Sequence, residues 1–168
     1  MALDQETLNQ FVDSVRRYVR DRLVPLEMQV AEEDRIPDDV IDELKELGLF
    51  GLSIPEEFGG LGLNMAEEAA IIQEMGYTSP VFRSMFGTNV GIGSQGIIID
   101  GTAEQKARYL PKLATGELIG SFALTEADAG SDAGSVMTSA RREGDDYIIN
   151  GEKMWTTGER PPQEVVHP

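Results

Sequence analysis

The sequence predicts an α+β chain: an amino-terminal helical bundle followed by a truncated antiparallel β domain. Three observations predict it. Residues 3–117 carry apolar stripes at helical period, punctuated by caps and glycines. After residue 117 the chain turns to short β-branched runs separated by Gly-Asp and Asn-Gly steps. With 40% hydrophobic and 26% charged residues, the composition is that of a folded globular chain rather than a disordered one. The 168 residues suit one domain with part of a second. The expected divisions are a helical domain over 1–117, a partial β domain over 118–158 and an atypical proline-rich tail over 159–168.

The first helix is expected within residues 3–26, where Leu8, Phe11, Val12, Val15, Val19, Leu23 and Leu26 share one face and Pro25 disturbs the end. Pro37 opens a second, because proline suits a first turn and Asp38 and Asp39 suit the positive helix end. Val40, Ile41, Leu44 and Leu47 form its buried stripe and Gly48 its stop. The glycine-rich loop 56–62 follows no clear strand in GxGxxG spacing and precedes no Gly-Lys-Ser/Thr, so neither nucleotide fingerprint applies. A tight packing turn is the expected role. Asn64 and Glu67 form a capping box for a third helix, which ends at Gly76.

Residues 80–99 read as one buried helix, although Gly87, Gly91, Gly93 and Gly96 each lower helix propensity by roughly 1 kcal/mol relative to alanine. Met85 and Phe86 read as core. Thr102 and Gln105 cap a further helix with Leu110 and Leu113 inward, bent or interrupted by Pro111. Strands are expected over 118–124, 136–141 and 147–149, with a turn at Gly144-Asp145. Asn150-Gly151 reads as a two-residue hairpin turn, since both positions tolerate positive φ, and 153–157 would run back antiparallel.

Charge and composition remove several functions. Thirty acidic against fourteen basic residues give a net charge of -16, which opposes binding to nucleic acid. The absence of cysteine removes disulfides and thiolate metal sites, and the single histidine, His167, argues against a histidine triad or a His-rich metal site. No signal peptide and no apolar run of membrane-spanning length is visible, so the expectation is cytoplasmic, without membrane insertion.

The stretch FALTEADAGSD, 122–132, changes character midway. An apolar run ends at Thr125 and Glu126, and Ala129-Gly130-Ser131-Asp132 makes a small turn rich in backbone donors. Such a turn can hold an anion or an extended cofactor; an ordinary strand end has the same composition. Glu126 is expected to pair with backbone N–H groups, with proton transfer as its alternative. Trp155 lies in the last expected strand with Thr157 on the same face. The indole can cover a planar ring and the hydroxyl can hydrogen-bond it, or Trp155 can be plain core. Such a site suits a flavin, although composition requires none.

LTEADAGSD at 124–132 and NGEKMWTTG at 150–158 resemble the acyl-CoA dehydrogenase family. PEEFGGLG at 55–62 and GTAEQKARYLPKLATGE at 101–117 resemble it too, in the same order. The resemblance implies a helical amino-terminal domain, a middle β domain and a carboxy-terminal helical domain, of which the last and most of the middle lie outside these residues. It implies non-covalent FAD, an acyl-CoA thioester substrate oxidised between its α and β carbons, electrons passing to an electron-transfer flavoprotein, and homo-oligomers. By motif, Phe122, Leu124 and Thr125 resemble the strand at the flavin edge, and Gly130 and Ser131 the turn near cofactor phosphate and the pantetheine arm. Ser131 is the candidate substrate contact; Trp155 and Thr157 resemble the indole and hydroxyl beside the flavin. Glu126 is in the motif but is not the family's base, which no residue here matches. Ala127 stands where proline is frequent, Thr156 and Gly158 where isoleucine and asparagine are, and 161–168 depart from the family altogether. The resemblance therefore implies a fragment inactive alone. The alternatives are a non-enzymatic assembly subunit derived from a dehydrogenase, and a related flavin-dependent oxidase or monooxygenase.

Overall fold

The computed structural model describes residues 3–156, which form two compact units, 3–120 and 121–156. In the first unit, α1 (Gln5–Tyr18) starts at Asp4, whose carboxylate accepts the Thr7 N–H at 2.8 Å. Pro25 does not end this helical run. The chain widens into a π turn (Val19–Leu23), tightens into a 3-10 turn (Val24–Leu26) and continues as α2 (Glu27–Glu33). The change of winding absorbs the missing proline N–H. Periodicity missed α2 because Val30 is its one buried residue.

α3 (Asp38–Glu46) begins after Pro37, and Gly48 turns the chain at φ 75°. The glycine-rich loop is a packing turn, as expected. Leu61 and Gly62 N–H groups donate to Gly51 and Ile54 carbonyls, both at 2.9 Å, so the loop folds back on the segment before it. A Cβ at Gly60 would lie 2.0 Å from the Ile54 carbonyl oxygen, which leaves room only for glycine. α4 (Met65–Met75) carries both halves of the Asn64–Glu67 capping box.

The single helix expected over 80–99 is two: α5 (Pro80–Val90) and α6 (Ile92–Asp100), broken where Gly91 leaves helical geometry at φ -101°, ψ -106°. α7 (Ala103–Ala114) has the Thr102–Gln105 box and runs through Pro111, whose lost bond falls in the last turn and does not stop it. α1 packs on α4, α5 on α6 and α6 on α7. The core holds Val15, Leu23, Leu44, Ile71, Phe50 and Phe86, the two rings meeting edge-on at 6.1 Å. Asn89 is fully buried: its Nδ2 donates to the Leu113 and Leu118 carbonyls at 2.9 and 2.8 Å, and its Oδ1 accepts the Gly120 N–H at 2.6 Å.

In the second unit, β1 (Ser139–Glu143) pairs antiparallel with β2 (Asp146–Asn150), from Ser139 opposite Asn150 to Glu143 opposite Asp146, around Gly144 at φ 66°. The α+β reading holds, with three corrections. Residues 118–124 are not a ladder strand, because they have no strand partner among the described residues; Leu118 and Gly120 bond Asn89 instead. The expected strand 136–141 begins only at Ser139, because the Met137 and Thr138 N–H groups go to the Glu126 carboxylate. Asn150-Gly151 is not a hairpin turn. Asn150 is the last rung of the ladder, and Gly151 presses so closely on Thr138 that a Cβ would lie 2.7 Å from the Thr138 Cα. Residues 153–156 accordingly form no strand, and Thr157 lies outside the described residues.

Candidate functional site

The site is built on the turn after Thr125. Glu126 and Ala129 exchange backbone bonds, N–H to O at 3.0 and 3.2 Å, closing a tight turn over Ala127 and Asp128. Ala129 and Glu126 are the buried residues of this unit. The Glu126 carboxylate accepts the N–H of Met137 at 2.5 Å and of Thr138 at 2.9 Å, the Thr138 hydroxyl, and the Lys153 ammonium at 2.7 Å. Lys153 above all, then the Thr138 hydroxyl and the Met137 N–H, hold the carboxyl down to about pKa 2, against burial that opposes ionisation. A carboxylate so held is an anchor rather than a proton carrier, which is the structural role expected of Glu126.

The same short segment fastens the backbone. Lys153 Nζ also donates to the Leu124 carbonyl at 3.1 Å, and the Met154 N–H donates to the Thr125 carbonyl at 2.8 Å. Residues 124–125 are thereby tied to 153–154, one residue short of Trp155. Trp155 is 82% exposed in a left-handed backbone, φ 59°, so the plain-core alternative does not hold. Phe122 and Leu124 are exposed, Thr125 is half-buried, and Gly130 and Ser131 are exposed, with open space around Gly130.

Hydrogen bonds thus bring Leu124 and Thr125 to the segment carrying Trp155; none links Gly130 or Ser131 to it among the described residues. The N–H groups of Phe122, Leu124 and Thr125, and the hydroxyls of Thr125 and Ser131, make no hydrogen bond among the described residues. Unspent donors beside exposed apolar side chains and an indole fit a planar ring that bears acceptors, and so fit FAD. Among the described residues no cluster of acids or histidines could hold a metal ion. Lys153 and Thr138 were missed from sequence. The available signal was opposite charge: Glu126 and Lys153 are each embedded in one of the two most distinctive stretches.

Comparison with known proteins bears on the same residues. The family model of the acyl-CoA dehydrogenase N-terminal domain matches residues 5–117, and that of the middle domain matches 121–160. A (2S)-methylsuccinyl-CoA dehydrogenase of Cereibacter sphaeroides is 39% identical over 92% of the chain. A mitochondrial very long-chain specific acyl-CoA dehydrogenase of Macaca fascicularis is 38% identical over 89%. The crystal structure of an acyl-CoA dehydrogenase complexed with FAD from Bacillus anthracis superposes with a TM-score of 0.79 and 34% identity over 94% of the chain. The chain spans 28%, 23% and 28% of the lengths of these three proteins.

Proposed function

Because the chain belongs to the acyl-CoA dehydrogenase family, we propose that it is the amino-terminal part of an FAD-dependent acyl-CoA dehydrogenase. When bound, FAD supplies the hydride acceptor for α,β-dehydrogenation of an acyl-CoA thioester. The chain's own residues bind and orient. Leu124 and Thr125 offer backbone N–H groups, and Thr125 a hydroxyl, to the ring's acceptors; Phe122 flanks them and Trp155 covers the ring. Gly130 and Ser131 line the side of the phosphates and the pantetheine arm, with Ser131 the polar substrate contact. Thr157 is proposed as the companion of Trp155. Glu126 is not the base that removes the α proton, being held ionised far below its ordinary range.

The observation that carries this reading is the row of donors at 122–125, unbonded among the described residues and tied to the segment of an exposed indole. Equilibrium dialysis against FAD tests it. Saturable binding too weak to survive gel filtration is expected, and Trp155→Ala should abolish it; a chain with no saturable binding sinks the proposal. With FAD, short-, medium- or long-chain acyl-CoA and an artificial acceptor, the 168-residue chain is expected not to turn over. The proposed partners of the longer protein are an electron-transfer flavoprotein and further copies of itself in a homo-oligomer, and the proposed compartment is the cytoplasm. No helix among the described residues is long and apolar enough to cross a membrane. A second reading, an assembly subunit without flavin, is favoured by Tyr147, Ile148 and Ile149 standing exposed on β2. Co-purification with a full-length dehydrogenase, without FAD of its own, would select it.

A further inference from the structure

We propose that Glu126 and Lys153 are positioning residues, one ionic clamp that fixes residues 124–125 and 154–155 relative to each other and so holds the proposed FAD contacts in register. The inference rests on the FAD reading above but assigns these two side chains a role that touches no ligand.

Five bonds carry it. Lys153 Nζ spans the Leu124 carbonyl, 3.1 Å, and the Glu126 carboxylate, 2.7 Å. The Glu126 carboxylate also takes the Met137 and Thr138 N–H groups, so three separate stretches of chain meet on one buried acid. Met154, next to the lysine, reaches the Thr125 carbonyl through its own N–H. Trp155 follows in a left-handed backbone that a non-glycine residue keeps only where its neighbours fix it. The groups meant for a ligand thus lie one bond away from the clamp on both sides. Beyond the Met154 backbone bond the clamp has little help: Ala129 is the only buried apolar side chain among the unit's described residues, so packing does not set the spacing. Neutralising either partner leaves the other ion half-satisfied in a buried place. Contact groups held by a supporting set of hydrogen bonds lose their geometry when that set is cut.

The test uses the 168-residue chain carrying Glu126→Gln, Lys153→Met, both together, and Lys153→Arg. Amide exchange at Met154, whose bond involves neither mutated side chain, is measured beside equilibrium dialysis with FAD. Each neutralising variant should speed Met154 exchange and weaken FAD binding by about tenfold, the double variant should be no worse than either single one, and Lys153→Arg should keep both near wild type. Amide protection across the β1–β2 ladder identifies a variant whose hairpin unit has simply failed to fold, and Lys153→Arg then carries the comparison. Unchanged Met154 exchange in Glu126→Gln overturns the clamp. Faster exchange with unaltered FAD binding overturns the positioning role. A wild-type chain that binds no FAD sinks the FAD reading and the positioning role with it, and is recognised because Met154 exchange still responds to the variants.

Discussion

A carboxylate that takes three hydrogen bonds and an ammonium resists protonation, and Glu126 makes this measurable. Its folded pKa of about 2 lies below the ordinary 4.5, so it stabilises the fold fully above the higher value. That contribution fades as pH falls from about 5 towards 2. Protection of the Thr138 amide should therefore persist in mildly acidic buffer and disappear near the lower limit, whereas Glu126→Gln should lack this dependence. Asn89 is the corresponding residue in the helical unit. Asn89→Ala leaves the Leu118 carbonyl and the Gly120 N–H unpaired and removes one bond from the Leu113 carbonyl, and should cost about 2–4 kcal/mol in urea unfolding. That Glu126 pairs with backbone N–H groups was expected from sequence, but which groups it and Asn89 pair with was not legible. The partners of Asn89 lie 24 to 31 residues away and those of Glu126 up to 27, and nothing local announces them. The exposure of Trp155 was likewise undecided, because period-two patterning cannot see whether a sheet forms around it.

Elements were legible where their signals are local. Both capping boxes stand as the sequence placed them, because a cap needs only residues three apart. Asn64→Ala should lower stability by about 1 kcal/mol, seen as a lower thermal midpoint of the helical signal. The errors share a cause in the opposite sense. Pro25 disturbs the winding as expected, but Pro111 does not interrupt its helix, because one lost bond is a small loss when tertiary packing continues on both sides. The strand over 118–124 and the Asn150-Gly151 turn were judged by composition, but a ladder exists only if a partner presents itself. Gly60 shows that a loop can be as constrained as a helix. Gly60→Ala must displace the Ile54 carbonyl, and should destabilise by about 2 kcal/mol or more in denaturant titration.

At the scale of the molecule, the two units are stabilised by different forces. The helical unit encloses a continuous apolar core from Val15 to Val90, while the hairpin unit has every strand residue exposed and is held by backbone bonds and one partly buried ion pair. The change of composition after residue 117 announced two kinds of structure, but not that the second would lack an apolar core. Added salt should loosen the hairpin unit, read as faster exchange at Met154, and leave the helical unit nearly unaffected. The placement of chromophores follows the same division. The only tryptophan sits in the hairpin unit and every described α-helix in the other. Indole emission during heating therefore reports one half of the chain and helical ellipticity the other. Two melting curves that fail to coincide would be the normal behaviour of the intact protein, not a sign of damage.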